Sequence, residues 1–143
     1  MVFQLQLIHL GMLDITKDIK EVLKYTDLVL LDIKHIDSKK CKKLVGFPNT
    51  KELAFAKYLS DNNIPIWIRQ VIVPGITDDE KDLLKLKEFI SSLKTVQRVE
   101  VMPYHELGKY KWEELGLKYP LKGTPPASFQ DIKRVKKILE LDY

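Results

Sequence analysis

The chain has 143 residues, 45% of them hydrophobic and 31% charged, with a net charge of +4 and a pI near 9.0. Its 24 basic and 20 acidic side chains are interspersed, so the excess marks a solvated surface of one folded domain (residues 1–143), with no nucleic-acid partner expected. The single cysteine, Cys41, excludes an intrachain disulfide and any cysteine-rich zinc or iron–sulfur site built from these residues alone.

Ile15, Ile19, Val22 and Leu23 recur at helical spacing, which predicts an amphipathic helix from about Asp14 to Tyr25. Asp27-Leu-Val-Leu-Leu-Asp-Ile-Lys34 follows, a nearly continuous apolar run with charges only towards its end. That is the pattern of a strand buried on both faces of a parallel sheet. From Asp37 to Gly46 the chain is short, basic and loop-like, with room for one helical turn. Asn49 and Glu52 have capping-box spacing, and Leu53, Ala56, Tyr58 and Leu59 carry a helix up to Asn62-Asn63. Ile64 to Val73 predicts a second buried strand, ended by Pro74-Gly75. Thr77-Asp-Asp-Glu80 reads as another capping box, opening a helix with Leu83, Leu86, Phe89, Ile90 and Leu93. Val96 to Met102 is a third strand. A long segment rich in Gly, Lys and aromatic residues runs from Pro103 to Pro126. Ser128 with Asp131 then caps a last helix, whose apolar face is Phe129, Ile132, Val135, Ile138 and Leu139.

Helix–strand alternation predicts right-handed βαβ units and a parallel sheet. Three or four units are too few to close an eight-stranded barrel, which takes about 250 residues. A small doubly wound sheet and a part of a larger barrel both fit. No apolar run approaches a membrane span and the N-terminus lacks a signal-peptide layout, so no membrane association and a cytoplasmic location are expected.

The polar residues that stand out lie at strand ends, where a parallel sheet has its active site. Asp32 and Lys34 are two apart and share a face. A charged pair there costs desolvation unless partners meet it, so it is either a salt bridge at the sheet rim or part of a ligand site. Arg69, inside an apolar strand, must find an anion: a structural carboxylate or a substrate's. Pro103-Tyr104-His105 ends the third strand, and a neutral imidazole there can face an adenine or simply pack. Glu106 to Trp112 mixes charges with aromatics, as an ordered surface loop does, or a lid or a partner-binding surface.

Asp27-Leu-Val-Leu-Leu-Asp-Ile-Lys34, Leu44-Val-Gly46, Leu53-Ala-Phe-Ala-Lys-Tyr-Leu59, Trp67-Ile-Arg69 and Val73-Pro-Gly75 occur in this order, with Met102-Pro-Tyr-His-Glu-Leu-Gly-Lys109 and Lys111-Trp112 after them. Together they resemble the C-terminal half of the pyruvate formate-lyase activating enzymes, radical S-adenosylmethionine (SAM) proteins that activate glycyl-radical enzymes. The resemblance runs from about Asp14 to Leu139. It implies an α/β fold, a partial (β/α) barrel of about three to four βα units cut from a (β/α)6 barrel. In that family a [4Fe-4S] cluster cleaves SAM reductively, and the resulting 5′-deoxyadenosyl radical takes a hydrogen from a glycine of the partner enzyme. The resemblance implies SAM contacts for Asp32, Ile33 and Lys34, a SAM-site role for His105, and contact with the SAM carboxylate for Arg69. Pyruvate formate-lyase is the implied partner, met through the loop from His105 to Trp112.

The family's C-x-x-x-C-x-x-C motif and its Gly-Gly-Glu segment belong to the N-terminal half and are not in these residues. The chain is expected to be an enzyme by family and inert alone, with no catalytic or metal-binding residue of its own. A second reading is a non-catalytic module that binds a glycyl-radical enzyme. A half barrel leaves sheet edges and an inner face uncovered, so a homodimer or pairing with the missing half is expected. Where the family has an Asp-Thr-(Ser/Asn)-Gly strand end, this chain has Leu7-Ile-His-Leu-Gly11. One codon series for that stretch, TTG-ATA-CAT-CTG-GGN, holds GAT-ACA-TCT-GGG in another frame, which encodes Asp-Thr-Ser-Gly. Residues 1–10 are therefore expected to be frameshifted, non-native sequence, and the coding DNA will carry that motif out of frame. DNA without it refutes the frameshift.

Overall fold

A computed structural model describes residues 6–9, by their backbone, and residues 14–142. The frameshift expected for residues 1–10 falls largely outside them. The elements in chain order are β1 (Gln6–His9), α1 (Lys17–Leu23), β2 (Leu28–Asp32), α2 (Ser38–Val45), α3 (Thr50–Asp61), β3 (Ile66–Ile72), α4 (Glu80–Ser91), β4 (Val96–Pro103), α5 (Lys109–Glu114) and α6 (Phe129–Ile138). The strands form one parallel sheet in the order β1-β2-β3-β4, so spatial order follows chain order.

That order decides between the two architectures left open by the sequence pattern. A doubly wound sheet reverses its strand order at a switch point and puts helices on both faces. Sequential order with right-handed crossovers puts the crossover helices on one face, as in a barrel wall. The packing agrees. Val29, Leu31, Ile33, Ile66, Ile68, Ile72 and Val99 from the strands join Leu23, Phe55, Leu59, Leu83, Leu86, Val135 and Leu139 from the helices in one buried cluster. The other face carries Leu30, Trp67, Arg69, Val71, Glu100 and Met102, all only half-buried. Strand alternation assigns the two sets to opposite sides. The fold is a segment of a (β/α) barrel with its inner face open.

Several local expectations shift. The basic stretch after Asp37 is an eight-residue helix, α2, rather than a loop. The Asp37 side chain accepts from the Lys40 amide at 2.9 Å, and Gly46 ends the helix at φ +93°, a conformation that only glycine adopts without strain. Cys41 is the buried residue of that helix. Thr77 does not cap α4: Asp79 does, accepting from the Asp82 amide at 3.2 Å. Ser128 and Asp131 do form the expected capping box on α6, but Phe129 at its first position is exposed rather than part of the apolar face. The segment after β4 is not all loop; it holds a 3-10 turn at Glu106–Gly108 and the short α5.

Among the described residues, no helix is long and apolar enough to cross a membrane.

Candidate functional site

A cavity of about 650 Å³ opens on the uncovered face at the C-terminal ends of β2, β3 and β4. The strand ends contribute Asp32, Ile33, Lys34, Arg69, Val71 and Tyr104 to its lining. Asp32 is the hub. Its Oδ1 accepts from Arg69 Nε at 2.5 Å and its Oδ2 from Lys34 Nζ at 3.1 Å. The register brings this contact within reach, because Asp32 and Arg69 are direct neighbours across the β2–β3 ladder. One carboxylate therefore orients two cations, and the trio carries a net positive charge at the cavity wall. The side chains of Asp32, Arg69 and Lys34 are 11%, 20% and 30% exposed, sheltered enough for the charges to act strongly on a ligand.

The loop after β3 is tied down by Thr77, whose Oγ1 donates to the Val71 carbonyl at 2.9 Å and accepts the Val73 amide at 2.8 Å. His35 links this loop to the one after β2. Its Nδ1 accepts from the Asp37 amide at 3.0 Å, which leaves the proton on Nε2 for the Ile76 carbonyl, also at 3.0 Å.

The far wall comes from the segment after β4. Tyr104 is buried, and its hydroxyl meets that of Tyr119 at 2.5 Å. Trp112 stands edge-on to Tyr119 with ring centroids 6.0 Å apart. The excursion is pinned at its base, where the Tyr104 amide donates to Ile72 and the Ala127 amide donates to Tyr104. Trp112, Tyr119, Pro120 and Leu121 thus roof the cavity from an anchored loop.

The structure brings Asp32, Ile33, Lys34 and Arg69 around one cavity and does not bring His105 to it. His105 is exposed, in extended backbone at φ −144°, next to the inward-facing Tyr104. Adjacent residues of extended chain point to opposite sides, so Tyr104 and His105 cannot both face in. Tyr119 and Leu121, from the long segment, are lining residues that no sequence motif indicated.

Beneath the site, Glu52 and Asn49 do not form the expected capping box. Glu52 Oε1 accepts from the Lys34 amide at 3.0 Å, while Asn49 Nδ2 donates to the carbonyls of His35 and Ile36. Burial pushes the Glu52 carboxyl up to about 7, against the opposing pull of the Lys34 amide and charge.

No group of three or more His, Cys, Asp or Glu able to hold a metal ion occurs among the described residues. Burial pushes the Cys41 thiol up to about 11, so it is a neutral packing group. An iron–sulfur cluster does not fit this donor set. The cavity, with paired cations at one end and aromatic and aliphatic walls, does fit a ligand with a carboxylate and a flat ring.

No protein-family model matches the chain. It is 50% identical over 122 residues to a pyruvate formate-lyase-activating enzyme of Staphylococcus epidermidis, a match covering 85% of this chain and 49% of that protein. The chain thus spans about half the length of the curated relatives it matches, in keeping with the resemblance of its motifs. Among solved structures, a domain of pyruvate-formate lyase-activating enzyme from Bacteroides vulgatus superposes with a TM-score of 0.78 at 21% identity, covering 96% of this chain and 75% of that one. SuiB of Streptococcus suis, solved bound to S-adenosylmethionine, superposes with a TM-score of 0.69 at 21% identity over 94% of this chain and 29% of its own.

The buried Glu52 carboxyl gives a pH dependence with a definite sign. Between about pH 4.5 and pH 7 only the folded chain keeps this proton, so stability falls as pH rises and the loss is complete above about 7. The shift corresponds to about 3 kcal/mol. Chemical denaturation at about pH 5 and pH 8 should show this difference, and Glu52→Gln should remove most of it.

Proposed function

We propose that this chain, similar in sequence to half of the pyruvate formate-lyase-activating enzymes, forms the wall of a SAM pocket and serves an activase only together with a cluster-bearing half. The observation that carries the reading is the Asp32 carboxylate bridging Arg69 and Lys34 at a strand-end cavity. The two cations suit the methionyl carboxylate of SAM, and the Tyr104, Tyr119 and Trp112 rings give a surface on which an adenine can stack. Asp32 acts by orientation: with both oxygens engaged, it aims its neighbours instead of meeting the ligand alone. Ile33 borders the pocket between Asp32 and Lys34 while its side chain packs into the core on the helix side. His105, exposed beside the roof, reaches the pocket only if the peptide after Tyr104 turns when ligand binds.

Bound SAM supplies the chemistry of radical formation when an iron–sulfur cluster reduces it. The donors of that cluster are not in these residues, so no step of radical formation is assigned to them. What they do is bind, orient and exclude water. Activation of a glycyl-radical enzyme, pyruvate formate-lyase first among the candidates, belongs to the assembled protein.

A second reading is supported by a separate observation. The loop after β4 exposes Leu107, Tyr110, Leu115 and Leu117, each more than half accessible, and Trp112 at 37%. Such a cluster suits a partner's surface, so the chain alone would bind a glycyl-radical enzyme without catalysis.

Calorimetry with SAM tests the first reading. Lys34→Met and Asp32→Asn are expected to weaken binding by about 10- to 100-fold, the worth of a charge-assisted hydrogen bond. The wild-type chain failing to bind SAM at millimolar concentration would sink it. Capture of pyruvate formate-lyase that is lost with Trp112→Ala but kept with Asp32→Asn would favour the second.

The open face of the sheet also supports self-association, with a second copy standing where the rest of a barrel would lie. Sedimentation is expected to give a dimer at about 100 μM chain, within the range of ordinary homodimer affinities; a monomer there refutes it.

A further inference from the structure

Two buried side chains at the start of α3, Asn49 at the N-cap position and Glu52 in the first turn, reach across to the loop that follows β2. Asn49 Nδ2 donates to the carbonyls of His35 at 2.9 Å and Ile36 at 2.6 Å, and Glu52 Oε1 accepts the Lys34 amide at 3.0 Å. The peptide groups just after Asp32 are therefore held from α3, which is why neither side chain caps its own helix. Asn49 needs only its amide for this. Glu52 is costlier: it is 1% exposed, and its Oε2 has no hydrogen-bond partner among the described residues. An apolar residue or a neutral amide is easier to bury. What a carboxylate adds is a stronger acceptor for the one N–H it meets.

We propose that Glu52 is a positioning residue whose buried carboxylate clamps the Lys34 peptide from beneath and so sets how Asp32 and Lys34 enter the cavity. Its meaning for ligand binding rests on the SAM-pocket reading, whereas the clamp itself does not. The charged and titratable groups that act on Glu52 are Lys34 and Asp32 at the end of β2 and Cys41 on α2. Lys34 favours the anion, Asp32 and burial oppose it, and the Cys41 thiol stays neutral. With the carboxyl pushed up to about 7, its proton exchanges near neutral pH. The neutral form is easier to bury but is a weaker acceptor. Acidification thus raises the contribution of this group to stability while loosening the hold on Lys34.

The test follows the Lys34 amide of the isotopically labelled chain by NMR from about pH 5.5 to 8.5. Its shift is expected to titrate with the same midpoint as the Glu52 carboxyl carbon, near 7, and to stay flat in Glu52→Gln. With SAM as the probe, wild-type affinity is expected to fall about fivefold on going from about pH 8 to pH 6, and that of the variant to stay level. Should Glu52→Gln not fold, the two wild-type midpoints decide: coincidence supports the clamp and separate midpoints overturn it. A Lys34 amide that ignores the Glu52 proton also overturns it. If the amide follows Glu52 and SAM binds at no pH, the clamp stands and the SAM reading falls.

Discussion

Asp32 cannot be changed without disturbing two cations at once. Its carboxylate is shared between Arg69, its neighbour across the ladder, and Lys34, two residues further along its own chain. Either cation left alone on a half-covered sheet face would carry a desolvation cost with nothing to offset it. Paired through one acid, both are affordable, and both end at the same cavity. The net charge there follows from this arrangement: two cations on one anion leave the pocket positive, although acidic and basic residues are nearly balanced over the whole chain.

The sequential strand order makes that face available. With α1, α3, α4 and α6 packed on one side, the other side of β2 and β3 is free to carry side chains that a two-sided sheet would have to bury. Arg98 shows the same economy further from the strand ends. It lies over the Trp67 ring at 5.2 Å and pairs with Glu100 at 3.2 Å, covering part of a surface that has no helix. Barrel-type connectivity, an open face and a charged strand-end site are one structural fact seen at three scales.

Much of this was legible in the residues. The apolar runs marked β2, β3 and β4, and the motif strings carried the resemblance that the relatives support. Capping signals were less dependable, and the reason is physical. Asn49-x-x-Glu52 has the right spacing, yet both side chains find backbone partners in the loop after β2 and leave the helix end uncapped. Thr77-x-x-Glu80 has it too, but Thr77 is needed to staple the turn after β3. Ser128-x-x-Asp131 sits on an exposed helix end with no competing partner, and there the local rule holds. A local pattern fails where a nearby buried backbone group outbids it. α2 was hidden for a different reason: its basic residues masked a single buried position at Cys41. In Pro103-Tyr104-His105 the sequence singled out the histidine, whereas strand alternation turned the tyrosine inward.

The roof of the cavity has its own thermodynamic standing. Both ends of the excursion meet at Tyr104, which takes the Ala127 amide on its carbonyl as it gives its own amide to Ile72. Closure of a loop of about 20 residues costs only slightly more entropy than closure of a much shorter one, and here the sheet and α6 already hold the ends together. The base of the roof is thus tied to the sheet through the backbone, and its tip is joined to Tyr104 by the Tyr119 hydroxyl, with Trp112 edge-on to Tyr119. The wall of this site rests on the strand ladder and its roof on a few ring and hydroxyl contacts, and the two are joined at one residue, Tyr104.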